Sequence, residues 1–125
     1  MKAKILIVDD SALTRRSLRQ ILETAGCEVV EAENGLDALE RYYLDKPDVV
    51  MLDLVMRGMY GLEVLHKLRE LDPRARIIVV SADIQTSSQD MAGEAGAAGF
   101  INKPFDRTDI LSALDTALAL SLIHI

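Results

Sequence analysis

Three observations predict an α/β fold. Short β-branched runs recur five times along the 125 residues. Segments with helical spacing lie between them. The first, third and fourth runs are continuously apolar, as strands of a parallel sheet covered on both faces must be. Five strands alternating with five helices imply βαβ crossovers, and such crossovers place helices on both sides of the sheet.

In chain order, the first strand is predicted at Ile5-Leu6-Ile7-Val8. Ser11 can cap a helix with apolar positions at Leu18, Ile21, Leu22 and Ala25, and Gly26 is placed to end it in a left-handed conformation. Val29-Val30 marks the second strand, and Asn34-Gly35 opens a second helix through Leu36 and Leu39 that must stop before Pro47. The third strand is Val49-Val50-Met51-Leu52; Gly61 then precedes a helix carrying Leu62, Leu65 and Leu68, with Pro73 beyond its end. Ile77-Ile78-Val79-Val80 supplies the fourth strand. Ser87 and Ser88 offer caps for a fourth helix, the loosest of the five, because Gly93 and Gly96 with Ala95, Ala97 and Ala98 give it little to pack. A weaker strand at Gly99-Phe100-Ile101 leads to a helix capped by Asp106 and carrying Ile110, Ala113, Leu114, Ala117 and Leu118.

This length suits one domain, and no Gly/Ser linker, low-complexity stretch or internal repeat divides it. Half the residues are apolar, which excludes a disordered chain, and only 4% are aromatic, so the core must be aliphatic. A formal charge of -6 disfavours direct binding of a nucleic-acid backbone and suits cations or basic partners. One cysteine, Cys27, makes no internal disulfide and reads as a small buried hydrophobe, with a cytoplasmic location the expectation. The N-terminal apolar run stops at Asp9 and Asp10, unlike a signal peptide, and residues 117–125 are too few to cross a bilayer, so no membrane partner is expected.

In an open doubly wound sheet, ligands bind outside the carboxyl ends of the strands. The predicted strand ends carry Asp9-Asp10, Asp53, Ser81-Ala82 and, after the fifth, Lys103-Pro104-Phe105. Three carboxylates held together repel by about 4 kcal/mol per pair at 4 Å and an effective dielectric near 20. Oxygen donors without His or Cys favour a hard cation, and so few protein ligands leave room for water and phosphate around Mg²⁺. With Lys103 as a second compensating charge and Ser81 as a hydroxyl, such a site can stabilise three phosphoryl oxygens. The nucleophile is then a carboxylate. His66 and His124 lie apart without Cys or His partners and read as surface residues. Met51, Met56, Met59 and Met91 read as core and loop filling.

These residues resemble the receiver domain of two-component response regulators. The likeness is carried by Val8-Asp9-Asp10-Ser11, Met51-Leu52-Asp53-Leu54 with Met56, Ser81-Ala82, and Phe100 with Lys103-Pro104-Phe105, supported by Gly26 and Ala32-Glu33-Asn34-Gly35, and it spans nearly the whole chain in order. The resemblance implies a flavodoxin-like five-stranded sheet in the order 2-1-3-4-5 with five helices. It implies Asp53 as the residue phosphorylated by a sensor histidine kinase, and Mg²⁺ held by Asp9, Asp10, Asp53 and the Val55 backbone carbonyl. Ser81 would bond the phosphoryl group, Lys103 would pair with it, and Phe100 would change rotamer as the loop closes. The changed surface of the fourth helix, fifth strand and fifth helix would then be read by a downstream protein or a fused output domain. The chain would catalyse only its own phosphotransfer and dephosphorylation.

Two positions depart from the family pattern. Many receivers carry proline where this chain has Arg57, and a polar residue where Tyr60 stands before Gly61. A more mobile, more basic loop is expected there, with consequences for partner choice rather than for phosphoryl chemistry. Two other readings remain open. One is a small Mg²⁺-dependent phosphatase using Asp53 as nucleophile, although such enzymes place a second Asp where Val55 lies. The other is a degenerate receiver that only binds a partner.

The receiver domain is expected over residues 1–120, with 121–125 a tail or the start of a continuation. The segment after Asp115 is apolar on nearly every face, which points to homodimerisation through the fourth-helix, fifth-strand and fifth-helix surface, or to a following domain.

Overall fold

A computed structural model describes residues 2–56, 60–82 and 86–123, with side chains of 86–89 and 120–123 left out of the description. Elements alternate throughout: β1 (Lys4–Val8), α1 (Ala12–Thr24), β2 (Glu28–Ala32), α2 (Gly35–Asp45), β3 (Val49–Leu52), α3 (Gly61–Leu71), β4 (Ile77–Ser81), α4 (Thr86–Glu94), β5 (Gly99–Asn102) and α5 (Arg107–Ile123). All strands are parallel, in the order β2-β1-β3-β4-β5. Strand period divides the core in two. Leu6, Val8, Val50, Leu52, Ile77 and Val79 face α2, α3 and α4. Ile5, Ile7, Val49, Met51, Ile78 and Val80 face α1 and α5. The continuously apolar runs are thus buried on both faces, as parallel strands require.

Local chemistry sets the helix ends. Ser11 Oγ accepts the Thr14 N–H at 3.3 Å, and Gly26 follows α1 at φ +92°. Asn34 Oδ1 accepts the Asp37 N–H at 2.8 Å at the start of α2. Asp106 and Asp109 cap α5 reciprocally, each carboxylate accepting the other's backbone N–H, at 2.8 and 3.2 Å. Helix α2 stops on Lys46, which takes a left-handed conformation at φ 48° ahead of Pro47.

Some expectations about faces shift by a residue or so. Leu36 is 73% exposed, because the inward stripe of α2 runs through Gly35, Ala38, Leu39 and Tyr42 instead. Ala25 is the exposed cap of α1 rather than part of its apolar face. Helix α4 begins at Thr86, so Ser87 and Ser88 fall inside its first turn, where serine costs little, rather than at its cap. Gly61 is the first residue of α3, with Tyr60 before it making no side-chain cap. Met51 and Met56 are core, whereas Met91 is exposed; Cys27 is half-buried against the α1/α5 core. Helix α5 continues to Ile123, so the division drawn at residue 120 falls within it. No helix of the described residues is long and apolar enough to cross a membrane. Arg57, Met59, His124 and the final residue lie outside the described residues.

Candidate functional site

The chain passes from β1 out to β2 on one side, then crosses to β3 on the other, so β1 and β3 flank the point where strand order reverses. A crevice opens at the carboxyl ends of such a pair. Val8 pairs with Leu52 in register, and the next residue on each strand is therefore Asp9 and Asp53. Their proximity follows from register, since neighbouring strands lie about 4.8 Å apart. Asp9 is 2% exposed and Asp53 7%, while Asp10 is exposed at the rim. One carboxylate oxygen from each of the three lies within 4.8 Å of the others.

Lys103 enters from the loop after β5, placed by its backbone N–H donating to the Ser81 carbonyl at 2.8 Å. The Lys103–Pro104 peptide is cis. Its ammonium Nζ stands 2.9 Å from Asp9 Oδ2 and 3.6 Å from Asp53 Oδ2. Asp9 Oδ1 also accepts the Ser11 N–H at 2.8 Å, and Asp53 Oδ1 accepts the Val55 N–H at 3.3 Å. Ser81 ends β4 fully buried, and Phe100 on β5 is half-buried against the α2/α3/α4 core.

Among the described residues, the Lys103 ammonium pairs with two of the three clustered carboxylates, Asp9 and Asp53. Burial pushes the Asp53 carboxyl above the usual carboxylate range; Lys103 pulls it back, while Asp9 and Asp10 add to the upward push. The donor set is all oxygen and carries excess negative charge, which fits a hard divalent cation better than a soft one. The structure thus brings Asp9, Asp10, Asp53 and Lys103 into one cluster, with Ser81 and Val55 joined to it through the backbone.

Two contributors carry no motif-level signal. Gly61 starts α3 against the turn that follows Asp53: its N–H donates to the Leu54 carbonyl at 2.8 Å, and a Cβ there would overlap the Asp53 carbonyl oxygen and Leu54 Cα. Sequence marks Gly61 only as a helix boundary, because a close backbone approach has no periodicity. Arg15, from α1, donates Nη1 to the Asp9 carbonyl at 2.7 Å. Its position on a polar helix face looks like any solvated arginine until the fold is known.

Comparison with known proteins agrees with this geometry. A family model described as the response regulator receiver domain matches residues 5–115. The chain is 44% identical over 119 residues to the chemotaxis protein CheY of Bacillus subtilis, covering 94% of this chain and 99% of that one. It is 42% identical over 116 residues to CheY of Thermotoga maritima, covering 92% and 97%. Among solved structures, a CheY-like receiver domain protein from Methanospirillum hungatei superposes with a TM-score of 0.94 at 28% identity, covering all of both chains. A parallel 2-1-3-4-5 sheet with an acidic cluster at its switch point, and these matches over nearly its whole length, show that the chain belongs to the response regulator receiver domain family of two-component signalling.

Proposed function

We propose that this receiver is a phosphorylation-controlled switch in which Asp53 accepts a phosphoryl group from the phosphohistidine of a sensor kinase. The observation that carries the reading is the buried Asp53 carboxylate, 3.6 Å from Lys103 Nζ and clustered with Asp9 and Asp10. An Asp53 carboxylate oxygen attacks phosphorus in line; the new O–P bond forms as the N–P bond to histidine breaks, and the imidazole leaves with its electron pair and takes up a proton. Asp9, Asp10 and Asp53 with the Val55 carbonyl would hold Mg²⁺, which when bound supplies compensating charge for the phosphoryl oxygens. Lys103 supplies a further charge, and Ser81 a hydroxyl donor, on the side of β4 and β5.

The same arrangement supports a relay to the surface. Ser81 lies at the end of β4, and its strand pairs with β5 so that Val79 is in register with Phe100. Drawing Ser81 towards an added phosphoryl group makes room that the Phe100 ring can enter, and Phe100 lacks a hydroxyl that would need a partner inside. Beside Phe100, a groove of about 520 Å³ runs between β5 and α5, lined by Ile101, Asn102, Thr108, Asp109 and Ser112 among others. A downstream protein, a fused output domain or a second copy would read its change of shape. The chain's own chemistry is confined to its phosphorylation and dephosphorylation, and its working compartment is the cytoplasm.

The test is intact-mass spectrometry after incubation with Mg²⁺ and a small-molecule phosphodonor. The reading requires one added phosphoryl group, lost with a chelator and lost in Asp53→Ala. Repeated turnover of a phosphorylated metabolite would instead make the protein a phosphatase.

A further inference from the structure

Arg15 is more deeply placed than Lys103, its side chain being 13% exposed against 21%. It makes two contacts at once. Nη1 donates to the Asp9 backbone carbonyl at 2.7 Å, and Nε donates to Glu31 Oε1 at 2.8 Å. Glu31 is anchored on β2 in register with Ile7 of β1, and also accepts Arg19 Nε at 2.6 Å. Burial would raise the Glu31 carboxyl, but the hydrogen bonds from Arg19 and Arg15 outweigh it and hold it below the usual range, so it stays ionised.

The Asp9 carbonyl belongs to the rigid peptide plane that leads into Asp10. Gripping that oxygen therefore sets the direction in which Asp10 leaves the strand. Asp10 is exposed, so core packing does not set it. Glu31 neutralises the guanidinium, and Arg15 can therefore stand behind an acidic cluster without repelling a cation from it.

We propose that Arg15 is a positioning residue for the metal: braced on Glu31, it holds the Asp9–Asp10 turn so that the three carboxylates converge. This rests on the reading of the acidic cluster as a Mg²⁺ site. Residues that orient metal ligands through hydrogen bonds cost about 10–100-fold in metal affinity when removed, and that range is expected for Arg15→Ala. Arg15→Lys keeps the charge, but a single ammonium lacks the fork that reaches both acceptors, so it binds more weakly than wild type. Arg19→Ala is the control, since Arg19 shares Glu31 and does not touch Asp9.

The experiment is a Mg²⁺ titration of the metal-free chain by amide NMR shifts, with thermal melts of each variant in parallel. The proposal predicts weakened Mg²⁺ binding in Arg15→Ala and Arg15→Lys, with Arg19→Ala unchanged. Wild-type affinity in either Arg15 variant would overturn it, as would an equal loss in Arg19→Ala, which would assign the effect to general stability. If Arg15→Ala does not fold, Arg15→Lys and Glu31→Gln carry the test, both expected to weaken binding. Absence of Mg²⁺ binding by the wild type would instead overturn the metal-site reading on which the proposal stands.

Discussion

Lys103 and Asp9 are 94 positions apart in the chain, yet the lysine Nζ stands 2.9 Å from Asp9 Oδ2. The Asp9 side chain is only 3% exposed and that of Lys103 21%, so the pair is part-buried, and removing the lysine is costly because it leaves a buried carboxylate without its counter-charge. Lys103→Met is expected to lower metal-free stability by about 3 kcal/mol. Mg²⁺ is expected to restore much of the loss, because on the proposed reading it would compensate the same carboxylates. Denaturant titrations with and without Mg²⁺ check this; an equal loss in both conditions would mean that lysine and metal do not share ligands.

Asp53 gives the metal-free protein a pH dependence of definite sign. Burial, with Asp9 and Asp10, places its folded-state pKa above the unfolded value. The folded state then binds the proton more readily in that window, and stability falls as pH rises through it. Asp53→Asn, which cannot ionise, is therefore more stable than wild type at neutral pH without metal. The advantage disappears below the usual carboxylate range. Melts across that window, in the presence of a chelator, measure it.

The contact between Gly61 and the Asp53 carbonyl predicts a sharp contrast between two glycines. A Cβ on Gly61 meets backbone that cannot yield, whereas one on Gly93 meets nothing within 4 Å. Gly61→Ala is expected to cost about 1–3 kcal/mol through overpacking. Gly93→Ala, within α4, is expected to gain roughly 0.5–1 kcal/mol from helix propensity. Chemical denaturation of the two variants decides it, and a neutral Gly61→Ala would remove the argument that this glycine sets the turn after Asp53.

How much of this was legible beforehand divides along physical lines. Strands such as Ile77–Ser81 announce themselves because burial on both faces demands unbroken apolar residues. The Ser11, Asn34 and Asp106 caps were legible because each depends on one side chain and its own next turn. Asp9, Asp10, Asp53, Ser81 and Lys103 stood out because strand ends converge once topology is known. Leu36 misled because a single leucine cannot report a helix's rotation, which is set by Ala38, Leu39 and Tyr42 together. Arg15 and Gly61 stayed hidden because what they touch at the site, the Asp9 and Leu54 carbonyls, is backbone, which leaves no residue-type signature.

Tyr42 shows a tertiary tie of the same hidden kind, its hydroxyl donating to Asp72 Oδ2 at 2.7 Å between α2 and the end of α3. That hydrogen bond holds the Asp72 carboxyl below its usual range, with its own turn and nearby arginines helping against burial. A depressed carboxylate stabilises the fold above its unfolded pKa and loses that contribution as pH falls through the folded value. Tyr42→Phe is expected to cost about 1 kcal/mol at neutral pH, shrinking in acid. A pH series of unfolding curves follows both limbs.

On the proposed reading, Asp53 itself carries the phosphoryl group. Treating the protein with Mg²⁺ and a phosphodonor, reducing the acyl phosphate with borohydride and mapping the product by peptide mass spectrometry tests it most directly. The reduced residue is expected to be the one at position 53, and its yield to collapse in Asp10→Asn. A label mapped to any other residue, or label persisting in Asp53→Ala, would contradict it.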